Sequence, residues 1–106
     1  MTNVLINAPK TAKRGEVIEL KTLILHPMET GFRVGTNGNL IPRNIIQRFT
    51  ATWNGTEIFR IDLSPAISAN PFVSFFAVAR ESGTVVFRWT GDEGFKAEES
   101  VTIAVG

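Results

Sequence analysis

Arg48-Phe49-Thr50-Ala51-Thr52-Trp53-Asn54-Gly55-Thr56-Glu57-Ile58-Phe59-Arg60-Ile61-Asp62-Leu63 decides the fold. Phe49, Ala51 and Trp53 alternate with Arg48, Thr50 and Thr52, and Phe59, Ile61 and Leu63 alternate with Arg60 and Asp62. A period of two puts apolar groups on one side of a pleat and polar groups on the other, as a half-buried antiparallel sheet requires. Asn54-Gly55 joins the two runs across two residues, which is the sequence of a type I′ turn, where both positions need φ > 0.

The same rhythm extends outward. Ile18, Leu20, Thr22 and Ile24 share one strand face and Glu19 and Lys21 the other; Val85, Phe87 and Trp89 alternate with Thr84, Val86, Arg88 and Thr90; Val101, Ile103 and Val105 alternate with Thr102 and Ala104. Glu81-Ser82-Gly83 and Gly91-Asp92-Glu93-Gly94 punctuate the later runs, and no stretch of ten residues carries a helical stripe. Strands are expected near residues 3–7, 16–25, 44–53, 56–63, 72–79, 84–90 and 96–105. About seven short strands at this spacing predict an all-β chain, an immunoglobulin-like antiparallel β-sandwich. At 106 residues, with no repeat and no linker, it is expected to form one domain over 1–106. Its 43% hydrophobic residues, with eight Phe and two Trp, suffice for a core without covalent staples.

Composition excludes several function classes. There is no cysteine, so no disulfide scaffold, zinc ribbon or thiol enzyme. The net charge is +1, with +4 on residues 1–50 and −3 on 51–106. Lys10, Lys13, Arg14, Lys21, Arg33, Arg43 and Arg48 are dispersed and the pI is 8.2, which argues against nucleic acid and for a polar protein partner. No apolar run is long enough to span a membrane. The start, Met1-Thr2-Asn3-Val4-Leu5-Ile6, lacks the basic and apolar regions of a signal peptide, which by itself points to the cytoplasm or to export by a route this chain does not encode.

Catalytic inventory is thin. His26, the sole histidine, sits with Met28 and Glu29, but one His without Cys falls short of the three or four ligands of a metal site; a loop histidine bonded to backbone is the plainer reading. Ser68 and Ser74 lack a nucleophile elbow. Asp92-Glu93 and Glu98-Glu99 are neighbours that point apart, so they read as solvated surface. Gly35-Thr36-Asn37-Gly38 lacks the Lys-Ser/Thr of a phosphate loop. No enzyme, metal or cofactor is expected.

What remains is surface. The segment from His26 to Arg43 is too long for an idle connection, and Ser64–Pro71 reads as an ordered crossing between sheets. On the strand at 72–79 both faces are apolar: Phe72, Ser74, Phe76 and Val78 on one, Val73, Phe75, Ala77 and Ala79 on the other. The second face is expected either to lie under the Pro65–Pro71 crossing or to meet a protein partner.

Three stretches carry a resemblance. His26-Pro27-Met28-Glu29-Thr30-Gly31 is followed by Ile41-Pro42-Arg43 and then by Pro65-Ala66-Ile67-Ser68-Ala69-Asn70-Pro71, with Glu81-Ser82-Gly83 and a late Trp89 before Asp92 and Gly94. In order and spacing, from about Lys10 to the C-terminus, this resembles the SoxZ family. The resemblance implies an immunoglobulin-like sandwich that binds SoxY, the subunit whose cysteine, on a flexible Gly-rich C-terminal arm, carries sulfur intermediates. It also implies transient contact with a thiosulfate-conjugating cytochrome, a sulfate-releasing hydrolase and, in many organisms, a sulfane dehydrogenase. The place would be the periplasm, reached by co-export with a signal-bearing partner. Lacking cysteine and ending Ala104-Val105-Gly106 without a Gly-rich tail, the chain suits the Z role and not the Y role. Candidate partner-binding residues are His26, Met28, Glu29, Arg33, Arg43, Asn70, Phe72 and Phe76; Arg33 and Arg43 are placed to meet client enzymes or an anionic thiosulfonate. The alternative is a free-standing or enzyme-associated immunoglobulin-like interaction module with no sulfur-carrier role.

Overall fold

The computed structural model describes residues 3–106. Met1 and Thr2, which belong to the stretch read for a targeting signal, lie outside the described residues.

Among the described residues eight strands form two sheets. β1 (Val4–Asn7), β3 (Val17–Ile24) and β6 (Phe72–Val78) make a three-stranded antiparallel sheet in the order β1-β3-β6. β2 (Thr11–Ala12), β4 (Ile46–Trp53), β5 (Thr56–Asp62), β7 (Gly83–Gly91) and β8 (Lys96–Val105) make the other, in the order β2-β8-β7-β4-β5. The expected sandwich is what the chain forms, with two corrections. β2 is an eighth strand, and it pairs with β8 in parallel, Thr11 opposite Ala104 and Ala12 opposite Val105. β4 begins at Ile46, not at residue 44, because Asn44 pairs with Glu29 in the connection before it.

The Asn54-Gly55 turn has φ of 50° and 86°, as a type I′ turn demands, and Trp53 faces Thr56 across it. The turn is docked at the β6–β7 connection. The Trp53 indole N–H donates to the Glu81 carbonyl at 3.0 Å, the Asn54 amide donates to the Ser82 carbonyl at 3.1 Å, and the Thr84 N–H donates to Asn54 Oδ1 at 3.0 Å.

Between the sheets lies an aromatic core. Phe49 of β4 is fully buried, with ring centroids of Phe59, Phe75, Phe87 and Trp89 within 5.1–6.2 Å. Phe75 of β6 stacks on Phe59 of β5 at 4.5 Å, which ties the two sheets together along one side. Ile18, Leu20, Thr22 and Ile24 all point inward, as their alternation requires.

Candidate partner-binding surfaces

The two outer faces of the sandwich differ in chemistry. That of the five-stranded sheet is polar and charge-paired, with Arg48 bonded to Asp62, Arg88 to Glu98 and Arg60 to Glu57. That of the three-stranded sheet is mostly apolar, its charges confined to the Glu19–Lys21 pair of β3. Cross-strand register aligns Leu5 of β1 with Leu23 of β3 and Leu23 with Phe72 of β6, while Val17 faces Val78 and Glu19 faces Phe76. Phe72 and Phe76 are 61% and 67% exposed. Of the two alternatives for this face, cover by the crossing is the one the structure corrects. Pro71 is buried and Pro65 half-buried at the ends of the crossing, but Ala66, Ile67 and Ala69 are exposed and leave the outer side of β6 open. Leu5, Val17 and Leu23 belong to the same patch. Their signal was the second apolar parity of the β3 segment, Val17-x5-Leu23-x-Leu25, half hidden by Glu19 and Lys21.

The connection from Leu25 to Ile45 is a finger and not a slack loop. Glu29 and Asn44 exchange backbone hydrogen bonds at 2.8 Å in both directions, Val34 pairs with Leu40, and the Ile41 N–H donates to the Arg33 carbonyl. Strands of eight to ten residues span about 27–34 Å, so the 58 Å length of a molecule only 20 Å across reflects a body extended by this finger. Its outer part exposes Phe32 (82%), Val34 and Leu40, three residues the sequence reading passed over because they fit no strand or motif.

His26, Met28 and Asn70 build the finger's root. The His26 N–H donates to Asn70 Oδ1 at 2.9 Å and the Asn70 N–H returns a bond to the His26 carbonyl at 2.8 Å. Met28, at φ 49°, turns its N–H onto His26 Nδ1 at 2.9 Å, and its sulfur accepts the Ile46 N–H. His26 and Met28 are only 5% and 4% exposed, so their side chains serve the finger's own architecture and offer no side-chain surface. The histidine bonded to backbone is the reading the geometry supports: the His26 and Met28 N–H groups and the imidazole Nδ1 are all committed within the chain.

Arg33 and Arg43 are likewise engaged. Arg33 makes a two-pronged pair with Glu29, at 2.7 and 3.2 Å to Oε1, and holds that carboxyl below its ordinary range. Arg43 grips both oxygens of Asp92 at 2.9 Å and lowers its pKa, while Asp92 also accepts from the Ile45 N–H and the Gln47 amide. Two neutralised guanidiniums leave little free positive charge for an anion. The eight candidate residues therefore separate into a buried or ion-paired root (His26, Met28, Glu29, Arg33, Arg43), Asn70 bonded into it, and an exposed pair on β6 (Phe72 and Phe76). Asp92, which had seemed an idle surface acid, is the centre of the root.

Burial holds the His26 imidazole below its ordinary pKa, with the Asn44 side chain and the Asp92 charge pulling more weakly the other way. Since Nδ1 accepts the Met28 N–H, the ring is neutral with its proton on Nε2. An unfolded histidine takes up a proton near pH 6.5, which the folded ring refuses until lower pH. Stability should therefore fall as pH drops through about 6.5, by at most about 1.4 kcal/mol per pH unit for one proton, and level off once the folded ring titrates. Urea midpoints at about pH 7.5 and 5.5 should differ in that sense, and His26→Gln should flatten the difference, because carboxylates titrate below this window. A wild-type midpoint that rises on acidification would contradict the buried neutral ring.

Fold and surface together define a small immunoglobulin-like sandwich with one largely apolar outer face and a braced finger. Comparison then gives the family. The model of sulphur oxidation protein SoxZ matches residues 6–102, and the chain belongs to the SoxZ family. No curated protein matches it in sequence. Among solved structures it is similar to superoxide reductase (neelaredoxin) from Ignicoccus hospitalis, at 18% identity and TM-score 0.76 over 99% of this chain and 82% of that one. A putative superoxide reductase from Thermotoga maritima aligns at 18% identity and TM-score 0.75, over 97% and 85%. The sulfur carrier protein SoxY from Chlorobium limicola f thiosulfatophilum aligns at 13% identity and TM-score 0.69, over 97% and 78%. At these identities the likeness is one of fold.

Proposed function

We propose that this chain is the non-catalytic subunit of a SoxYZ sulfur-carrier complex, and that it binds SoxY through the apolar outer face of its three-stranded sheet. Family membership supports the assignment to sulfur oxidation. The observation that carries the binding surface is the contrast between the two outer faces: one is laced by three ion pairs, and the other, beside the single Glu19–Lys21 pair, exposes Phe72 and Phe76 with no neighbour among the described residues to cover them. Exposed apolar patches of this kind mark interaction sites. With no cysteine, the chain has no thiol on which to carry sulfur, so the covalent step falls to SoxY. The Z subunit supplies a rigid body and docking area, and its braced finger is free to meet the cytochrome, the hydrolase and the sulfane dehydrogenase in turn. The complex works in the periplasm, reached by co-export with the signal-bearing partner.

Phe76→Asp tests this reading. It would bury an unpaired carboxylate in the interface, at a cost of several kcal/mol, so affinity for SoxY should fall by about 100-fold or more. The isolated variant should melt like the parent, since Phe76 is largely exposed, and Arg88→Ala on the opposite face should leave capture intact. Undiminished co-purification of Phe76→Asp with SoxY would remove this face from the interface and favour a free-standing interaction module.

A further inference from the structure

The two sheets leave four open edges, and three are guarded. β1 has four residues and β2 has two, too short to template another strand. β5 carries Glu57, Arg60 and Asp62, and its pairing with β4 is broken by a register shift at Ala51/Thr52. β6 is different. Phe72-Val73-Ser74-Phe75-Phe76-Ala77-Val78 is seven residues long, with no charge, no proline and no glycine.

Its backbone parity is fixed by the bonds at either end. The Ile24 N–H donates to the Pro71 carbonyl, and the Ala79 N–H donates to the Glu16 carbonyl. The odd residues of β6 therefore bond to β3, and the N–H and C=O groups of Phe72, Ser74, Phe76 and Val78 point away from it. Among the described residues these outward groups have no hydrogen-bond partner in the chain. They belong to the same residues whose side chains form the exposed apolar face. Beside them a shallow cleft between β5 and the end of β6 is lined by Trp53, Ile58, Phe76 and Val78.

Size argues the same way. Strands of four, eight and seven residues about 4.8 Å apart give a face of roughly 300 Å² in projection, whereas a stable heterodimer takes about 800 Å² from each partner. A partner on this face must extend past an edge, and β6 is the edge that accepts one.

We infer that SoxY adds a strand to the open edge of β6, antiparallel, so that one sheet runs continuously from this subunit into its partner; this rests on the SoxY-binding reading above. A SoxY shares this chain's fold, and a partner of the same fold would carry a counterpart of β6 at its own sheet edge. Two like-folded domains related by an approximate two-fold axis bring the same strand together antiparallel. The register centred on Phe75 sets position 74 opposite 76 and position 72 opposite 78, so all four outward-pointing residues fall in hydrogen-bonded pairs.

The test is amide hydrogen exchange on the wild-type chain alone and in its complex with SoxY, joined to capture by two variants. Phe75 and Ala77 amides should be slow in both states, while Ser74 and Phe76 should slow by about 100-fold or more only in the complex. Ser74→Pro deletes one outward N–H without touching the β3 ladder and should weaken capture at least tenfold; Ser74→Ala keeps that N–H and should bind like wild type. A complex in which Ser74 and Phe76 exchange as in the free chain, or full capture by Ser74→Pro, overturns the strand addition and leaves SoxY binding standing. Failure of the wild-type chain to bind SoxY at all overturns both. Protection of Ser74 and Phe76 in the chain alone, with a species of twice its mass, makes the occupant a second copy and overturns the assignment to SoxY.

Discussion

Phe49→Ala is expected to cost about 3–5 kcal/mol, the range for an aromatic ring removed from a closed core. Phe49 is the ring through which the sheets meet, touching Phe59, Phe87 and Trp89 of its own sheet and Phe75 of the other. Truncation forfeits the transfer energy of the ring and leaves a cavity whose walls are themselves rigid aromatics anchored in strands, so collapse can fill little of it. A domain of this size has about 5–15 kcal/mol to lose, and each kcal/mol is worth about 4–8 °C in a domain of 60–100 residues. The variant should therefore melt roughly 12–40 °C below the parent. Phe76→Ala is the internal contrast: the same chemical change on an exposed ring should shift stability by less than about 0.5 kcal/mol. Urea unfolding of the isolated chain measures both, and comparable losses would show that the ring cluster is not where stability is concentrated.

The contrast between Phe49 and Phe76 also marks how far the sequence could be read. Around Phe49 the alternation has one apolar parity, so the inward side is decided locally, and Asn54-Gly55 fixes the hairpin register by its backbone requirement alone. On β6 both parities are apolar. Alternation then defines two faces but not which one is inward; that depends on pairing with β3, where Leu20 opposes Phe75 and Glu19 opposes Phe76. β2 was illegible for a related reason. Two residues carry no periodicity, and their partners Ala104 and Val105 lie some ninety positions away.

The candidate site was legible in its residue types more than in their roles. His26, Met28, Asn70 and Arg43 stood out as a motif, and they do converge on one structure, the root of the finger. That root is internal, made of bonds such as His26–Asn70 and Arg43–Asp92 across 44 and 49 positions. Nothing local in Gly91-Asp92-Glu93-Gly94 distinguishes Asp92, which accepts four hydrogen bonds, from exposed Glu93 next to it. The surface residues of the finger, by contrast, carry no polar signature, since exposed Phe32 or Leu40 looks in sequence like any core residue.

Gly91→Ala should be among the most damaging single methyls in the chain. Gly91 is extended, at φ −163°, so backbone conformation does not demand glycine there; space does. A Cβ would press into the carbonyl oxygen of Ile45 and lie 2.8 Å from Cα of Ile46, main-chain atoms at the start of the strand it pairs with. A flexible side chain could swing aside, but this backbone is held from the other side as well: the Asp92 N–H donates to the Ile45 carbonyl and the Ile45 N–H donates back to Asp92 Oδ2. Relief requires opening the root of the finger, where Arg43 and Gln47 also converge on Asp92. A loss of about 3 kcal/mol or more is expected, the upper end for overpacking, with amides of Glu29 and Asn44 exchanging faster than the global unfolding rate allows. The β6 edge lies on the other sheet and should keep its affinity for the partner below the new melting temperature. If Gly91→Ala leaves those two amides protected, the finger is braced by something other than the Ile45–Asp92 junction; if it abolishes partner capture while Ser74→Ala does not, the finger itself belongs to the interface.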